Sequence, residues 1–384
     1  MPVRALLRAL LPALAGPALL LSACATSASA PPGGSPGTGR GTGSPGPGST
    51  SSVTTTATDP RPPVTSAPPT PTGPTSTSGP TPTGSTPTGR TSTPGPSTAP
   101  SGSGPTTPTP SSGTQPFSRQ SVGVGRLMVT TLSGRASGVT MKVWVWVPPQ
   151  YDDPQYARTA FPVLMLYPGG DGVSYTQWFS FGQPELISDR SRTGEVSPFI
   201  MVEPQMQVST SLDTECTDLD GLPKVGTFLD TDVPAMVRDS FRVLPARTAW
   251  GVGGASSGAY CAARVLFGNP DQFSVGVTLG GYFEIDTPLA AGHTAAARAT
   301  TPMAIATGPT PPDVWLRAWT GNAGAAEAIS LRQNQAFVKA VRAPTKADLK
   351  VLPEGTHTWT TFTKMLPDTF AFFTEHLDKP APVG

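Results

Sequence analysis

The chain reads as an α/β protein: a mostly parallel sheet covered by helices on both faces and entered through antiparallel strands. Three observations predict this. Short apolar runs closed by Gly or Pro alternate with longer helical patterns. Two strands with period-two alternation precede them, and a G-x-S-x-G turn lies between one apolar run and one helical pattern.

Leu127 to Leu132 and Thr140 to Val147 predict the antiparallel pair, with Val143, Val145 and Val147 alternating against Trp144 and Trp146. The runs Pro162 to Tyr167, Pro198 to Glu203, Thr248 to Gly253, Phe273 to Leu279, Pro302 to Thr307 and Asp348 to Leu352 are each short, closed by Gly or Pro, and suit buried parallel strands. Helical patterns occur near Val225 to Phe241, Gly258 to Phe267, Ala325 to Val341 and Trp359 to His376. Parallel strands joined through helices wind a sheet on both sides.

Aromatic and large apolar residues begin abruptly at Phe117, so residues 117–384 are expected to form one catalytic domain. Residues 24–116 are almost entirely Pro, Thr, Ser, Gly and Ala. They cannot bury a core and predict a disordered tether reaching roughly 50 Å as a flexible coil. Residues 1–23 carry Arg4 and Arg8, then an apolar run from Ala9 to Leu21 broken by Pro12, Gly16 and Pro17. That is a signal peptide, too short to span a bilayer. Leu21-Ser22-Ala23-Cys24 resembles a bacterial lipobox, which makes Cys24 the acylated first residue and the membrane a partner; cleavage elsewhere in this Ala/Ser-rich stretch would release a soluble protein instead. Either route leads out of the cytoplasm.

Charge is balanced, 26 Lys and Arg against 25 Asp and Glu, without blocks of either sign, so no nucleic-acid footprint is visible. With Cys24 assigned to the lipid, Cys216 and Cys261 remain as an even pair in an oxidising compartment, where a disulfide is the default. Two cysteines and three scattered histidines show no metal-ligand spacing, and no cofactor is implied.

Gly254-Ala255-Ser256-Ser257-Gly258 follows the run Thr248 to Gly253 and precedes the helical pattern from Gly258, the context a nucleophile elbow demands. The same pattern at Gly33, Ser35 and Gly37 lies in the tether, where nothing could orient it. A serine hydroxyl needs a base, and in such chains the histidine comes last, on a loop after the final strand. His357 meets that description; His293 lies in a Gly/Ala/Thr-rich connection and His376 near a helix end. The orienting acid should lie between the two at the end of a strand. Asp313, beyond the run Met303 to Thr307, is favoured on chain order over Glu327, which as a helix-start acid could merely complement the dipole. Oxyanion N–H groups are expected from Ser257 and from the Gly-rich segment Pro168 to Val173.

With these residues in place, the chain resembles the esterase D family of α/β-hydrolases, which includes enterochelin and feruloyl esterases and mycobacterial mycolyltransferases. The resemblance covers most of Leu127 to Leu377. It rests on Met141 to Val147 with Pro148, on Gly169-Gly170-Asp171-Gly172-Val173 with Trp178, on the elbow, and on Gly355-Thr356-His357-Thr358-Trp359. It implies an α/β-hydrolase fold, Ser256, Asp313 and His357 as triad, and Val173 and Ser257 as oxyanion amides. Relatives place the acid sooner after the glycine that follows Met303 to Thr307, so the chain departs from the pattern there. The resemblance also implies that a Cys216–Cys261 bond braces the pocket wall against the nucleophile helix.

The function expected is a cell-envelope serine ester hydrolase acting on a small ester or an envelope lipid or glycolipid. An acyltransferase moving the acyl chain to a sugar hydroxyl uses the same residues. A surface-binding protein without catalysis on the same fold would not need Ser256 and His357 in these contexts.

Overall fold

The computed structural model describes residues 115–170 and 176–382. The expected signal peptide, Cys24, nearly all of the tether and Val173 lie outside the described residues.

The strands in chain order are β1 (Ser118–Gln120), β2 (Arg126–Ser133), β3 (Thr140–Val147), β4 (Thr159–Ala160), β5 (Val163–Tyr167), β6 (Ile200–Pro204), β7 (Trp250–Ala255), β8 (Val275–Leu279), β9 (Trp315–Gly321), β10 (Lys346–Leu352) and β11 (Ala381–Pro382). The α-helices are α1 (Pro149–Asp152), α2 (Gln183–Arg192), α3 (Val225–Thr227), α4 (Val233–Ser240), α5 (Ser257–Gly268), α6 (Thr294–Ala299), α7 (Pro302–Thr307), α8 (Ala325–Ala340) and α9 (Trp359–His376). A π-helical turn over Phe228–Asp232 joins α3 to α4.

Among the described residues nine strands form one sheet in the order β1-β2-β3-β6-β5-β7-β8-β9-β10, and β4 pairs with β11 apart from it. β1, β2 and β3 are antiparallel, β3 meets β6 antiparallel, and every pair from β6 to β10 is parallel. The expected α/β-hydrolase architecture with antiparallel N-terminal strands is therefore present.

Period-two alternation sorts β3 into two cores. Val143, Val145 and Val147 join the cluster that includes Val163, Val252, Val265 and Phe267, while Trp144 and Trp146 join the cluster with Phe370 and Phe373 of α9. The sheet is thus covered by α4 and α5 on one face and by α2 and α9 on the other. Burial on both faces is why β5 to β8 read as continuous apolar runs without alternation.

One expected strand is a helix. Pro302–Thr307 forms α7, opened by Thr301, whose hydroxyl accepts the Ala304 N–H at 3.2 Å, with Pro302 at the first helical position, where its missing N–H costs nothing. The strand that fills the sheet is β9. In it Leu316, Ala318 and Thr320 are buried while Trp315, Arg317 and Trp319 are half-buried, so no apolar run announces it. Arg317 lies across the sheet edge, pairing with Asp348 at 2.7 Å and Asp368 at 3.1 Å.

The chain lays down β5, adds β6 on one side, and then places β7 on the other. Strand order reverses at β5, and the crevice at the carboxyl ends of β5 and β7 is where open α/β sheets bind ligands.

Candidate active site

The crevice is built first from backbone. β7 ends at Ala255, paired beside Leu279 of β8, and the next residue, Ser256, has φ 56° and ψ −120°. That is a costly conformation for a residue with a Cβ. It is held by the Ser256 N–H donating to the Leu279 carbonyl at 2.8 Å and by α5 starting at once. The turn is tight enough that a Cβ at 254 would collide with the Gly258 carbonyl, and one at 258 with the carbonyls of Tyr167 and Pro168. The two glycines of the motif are thus steric requirements, and Ser256 stands at the tip, 7% exposed.

His357 arrives from the loop between β10 and α9. With its Nδ1–H donated to Glu327 Oε1 at 2.6 Å, Nε2 accepts the Ser256 hydroxyl at 2.8 Å. The ring edge packs on Phe362 at 5.4 Å between centroids, which fixes the tilt that serves both contacts. Thr358 caps α9 by accepting the Thr361 N–H, so the helix begins immediately behind the histidine.

Glu327 lies in the first turn of α8 and is fully buried. Its side chain turns back toward the end of β9, where Oε2 accepts the Thr320 hydroxyl and the Gly321 N–H, both at 2.5 Å. Burial alone would raise its pKa. The hydrogen bonds from His357, Thr320 and Gly321, with the charge on His357, outweigh burial and hold the carboxyl below the ordinary value.

Asp313 does not occupy this place. It is exposed and precedes β9, and its carbonyl accepts from Arg247 at 2.6 Å. Because the parallel strands carry Ser256, Glu327 and His357 beyond their carboxyl ends, a residue before β9 lies a strand length away, roughly 20 Å for seven residues. The structure differs from the expectation through the strand assignment: Pro302–Thr307 is a helix, the strand end that precedes an acid is Gly321, and the carboxyl beside His357 is that of Glu327.

Pro168, Gly169 and Gly170, the described part of the Gly-rich segment, face the elbow. Ser257, the first residue of α5, donates its hydroxyl to the Gly170 carbonyl at 2.8 Å, and its N–H belongs to the open first turn of the helix. Gly169 is gripped by the Gln177 side chain, which accepts the Gly169 N–H at 2.7 Å and donates to its carbonyl at 3.1 Å. The backbone N–H groups of Gln177 and Trp178 donate to Glu203 at 3.1 and 3.0 Å. Sequence reasoning passed over Glu203 and Gln177. A carboxyl closes the otherwise apolar run Pro198 to Glu203, but the sequence holds no sign of what that carboxyl faces.

A cavity beside Ser256 and His357 is walled by Gly281, Tyr282, Ala326 and Ile329. Tyr282 is stacked on Tyr260 of α5 and donates its hydroxyl to Glu215 at 2.5 Å. Burial among these groups raises the Glu215 carboxyl to about 7. The adjacent Cys216 is joined to Cys261 of α5, Cα to Cα 5.7 Å, so this wall is fastened to the helix that carries the elbow.

Residues 134–373, well over half of the chain, match the family model described as "Putative esterase". A ferulic acid esterase superposes with TM-score 0.56 at 18% identity, over 67% of this chain and 99% of that one. An S-formylglutathione hydrolase from Agrobacterium tumefaciens gives 0.53 at 14% identity, over 68% and 99%. An uncharacterized protein of Corynebacterium glutamicum is 30% identical over 169 residues, 42% of this chain and 38% of that one, so the match spans little more than a third of that relative. The chain belongs to the family described as "Putative esterase" and has the α/β-hydrolase fold.

Proposed function

We propose that the protein is a serine ester hydrolase of the cell envelope, with Ser256 as nucleophile, His357 as general base and acid, and Glu327 as the orienting carboxylate. The observation that carries this reading is the continuous hydrogen-bonded line from Ser256 Oγ through both ring nitrogens of His357 to Glu327, at 2.8 and 2.6 Å.

The chemistry follows from that line. As Ser256 Oγ attacks the ester carbonyl carbon, its proton passes to His357 Nε2, and the carbonyl oxygen takes the negative charge. The imidazolium is stabilised by Glu327, which keeps its own proton off because its pKa is depressed. His357 then gives the proton to the departing alkoxide, leaving an acyl-Ser256 ester and a free alcohol. Water repeats the sequence: His357 takes its proton, the hydroxyl adds to the acyl carbon, and Ser256 Oγ leaves with the proton returned, releasing the acid. The Ser257 N–H, at the positive end of α5, faces the developing oxyanion, and a second donor is assigned to Val173.

The envelope location rests on Leu21 to Cys24 and the Pro/Thr/Ser/Gly-rich residues behind them, with Cys24 as the acylated anchor. The Cys216–Cys261 bond fits an oxidising compartment. A fluorophosphonate probe tests the mechanism: it should modify Ser256 alone, and Ser256→Ala should lose both labelling and ester turnover. Turnover that survives in this variant contradicts the reading. Detergent-phase partitioning tests the anchor, since Cys24→Ser should move the protein out of the detergent phase and an aqueous wild type would refute acylation.

A further inference from the structure

We propose that Glu203 and Gln177 form a buried positioning unit that sets the Gly169–Gly170 backbone against the Ser256 elbow, so that Glu203 controls the rate of the transition-state step without touching substrate. This rests on the serine-hydrolase reading and extends it to two residues outside the triad.

Glu203 stands near the end of β6, fully buried and preceded by the core residues Met201 and Val202. A carboxyl carried into a core is costly unless its oxygens are answered. Here both are answered by backbone: Oε1 accepts the Gln177 N–H and Oε2 the Trp178 N–H, with the Thr176 N–H adding to the set. Those groups open the 3-10 turn Gln177–Phe179, which has no side-chain cap of its own because Thr176 sits at φ 71°. The cap therefore comes from a neighbouring strand, and it ties the turn to the sheet rather than only satisfying it. Burial raises the carboxyl to about 8 even against the N–H groups, which pull it down.

The turn carries Gln177, and its side-chain amide is where three segments meet. It grips Gly169 through both N–H and carbonyl. Its Oε1 also accepts the indole N–H of Trp359 at 3.2 Å, two residues beyond His357. Gly169 lies so close to the elbow that a Cβ added there would stand 3.0 Å from the Ala255 carbonyl and 3.3 Å from Ser256 Cβ, and the Gly170 carbonyl takes the Ser257 hydroxyl. The segment after β5, the elbow after β7 and the segment holding His357 are thus referenced to one amide, and Glu203 fixes the backbone that carries it. A misplacement of about 1 Å at such a site costs on the order of a hundredfold in rate.

The test uses Glu203→Gln, which keeps the shape, and Gln177→Met, which keeps the bulk and removes the amide. Both are compared with wild type for kcat and KM on an aryl acetate, for inhibition by an aryl trifluoromethyl ketone, whose hemiketal oxygen mimics the transition-state oxyanion, and for Tm. We expect kcat to fall about 10- to 100-fold with KM within about threefold, and ketone affinity to fall in step with kcat. The double variant should be no worse than the weaker single one, because both act through the same contact. Unchanged kcat and ketone affinity with only a lower Tm would reduce Glu203 to a structural cap and overturn the proposal. Should Glu203→Gln fail to fold, Gln177→Met carries the same test alone. A wild type that neither turns over the ester nor binds the ketone would defeat the serine-hydrolase reading and this proposal with it, whereas an active wild type with unaffected variants defeats this proposal only.

Discussion

Two glutamates flank the elbow, both fully buried, and they are driven in opposite directions. Glu327, on the β9–α8 side, faces an imidazole, a hydroxyl and an N–H, and its pKa is lowered in spite of burial. Glu203, on the β5–β6 side, faces backbone N–H groups, and burial prevails, raising it to about 8. Exclusion from solvent alone therefore does not set the charge of a carboxyl; the depth of burial, greater at Glu203, and the partners that gain or share a proton set it together. In the proposed mechanism the side that stabilises a cation during turnover holds the acid with the lowered pKa, and the side that holds backbone has the one that keeps its proton into the neutral range.

The most severe way to break this asymmetry is to remove the groups between the two sides. Ser256→Ala and His357→Ala should each lower kcat by about 10⁴-fold or more while leaving the circular dichroism spectrum unchanged, because each removes a step that nothing else in the crevice performs. Next comes the charged side. Glu327→Gln retains the shape but no longer stabilises the imidazolium, and kcat should fall about 10²- to 10⁴-fold with KM little altered. A loss below about threefold would deny Glu327 its role.

Stability against pH sharpens the same comparison. Glu327 has a lowered folded pKa, so its contribution is present above the ordinary value of 4.5 and is lost as pH falls through the folded value. Glu203 has a raised one. Between its unfolded value of 4.5 and its folded value of about 8 the native state binds the extra proton, so its contribution declines as pH rises through that window. Urea unfolding from pH 5 to 8 should therefore show Glu203→Gln gaining on wild type with rising pH, and unfolding below pH 4.5 should show Glu327→Gln losing less than wild type. Parallel curves would contradict the opposed shifts. The smallest expected effect is at Asp313: Asp313→Asn should leave kcat within about twofold of wild type, since exposed substitutions away from a site do little.

Much of this was legible from residue order. Gly254 to Gly258 could be recognised because a strained serine needs small neighbours at fixed offsets, and the clashes that a Cβ would meet at 254 and 258 are that requirement made physical. His357 was legible because it follows the last strand of the sheet. The acid was not, for a reason seated in β9: an edge-ward strand carrying Trp315, Arg317 and Trp319 has no apolar run, whereas Pro302–Thr307 has one and folds as a capped helix. Glu203 and Gln177 were illegible for another reason. Their meaning lies in contacts across 26 and 8 positions of sequence, and no local pattern encodes a backbone-to-carboxylate grip between a strand end and a distant turn.

The central claim is that acyl transfer passes through Ser256, and rapid-quench kinetics with an aryl acetate measure it most directly. The account predicts a burst of about one equivalent of alcohol before the steady state when deacylation is the slower step, and, in protein quenched during turnover, an acetyl group mapped by peptide mass to Ser256 and absent from Ser256→Ala. An acetyl group on another residue, or full turnover with no modified serine trapped under any quench, would contradict it.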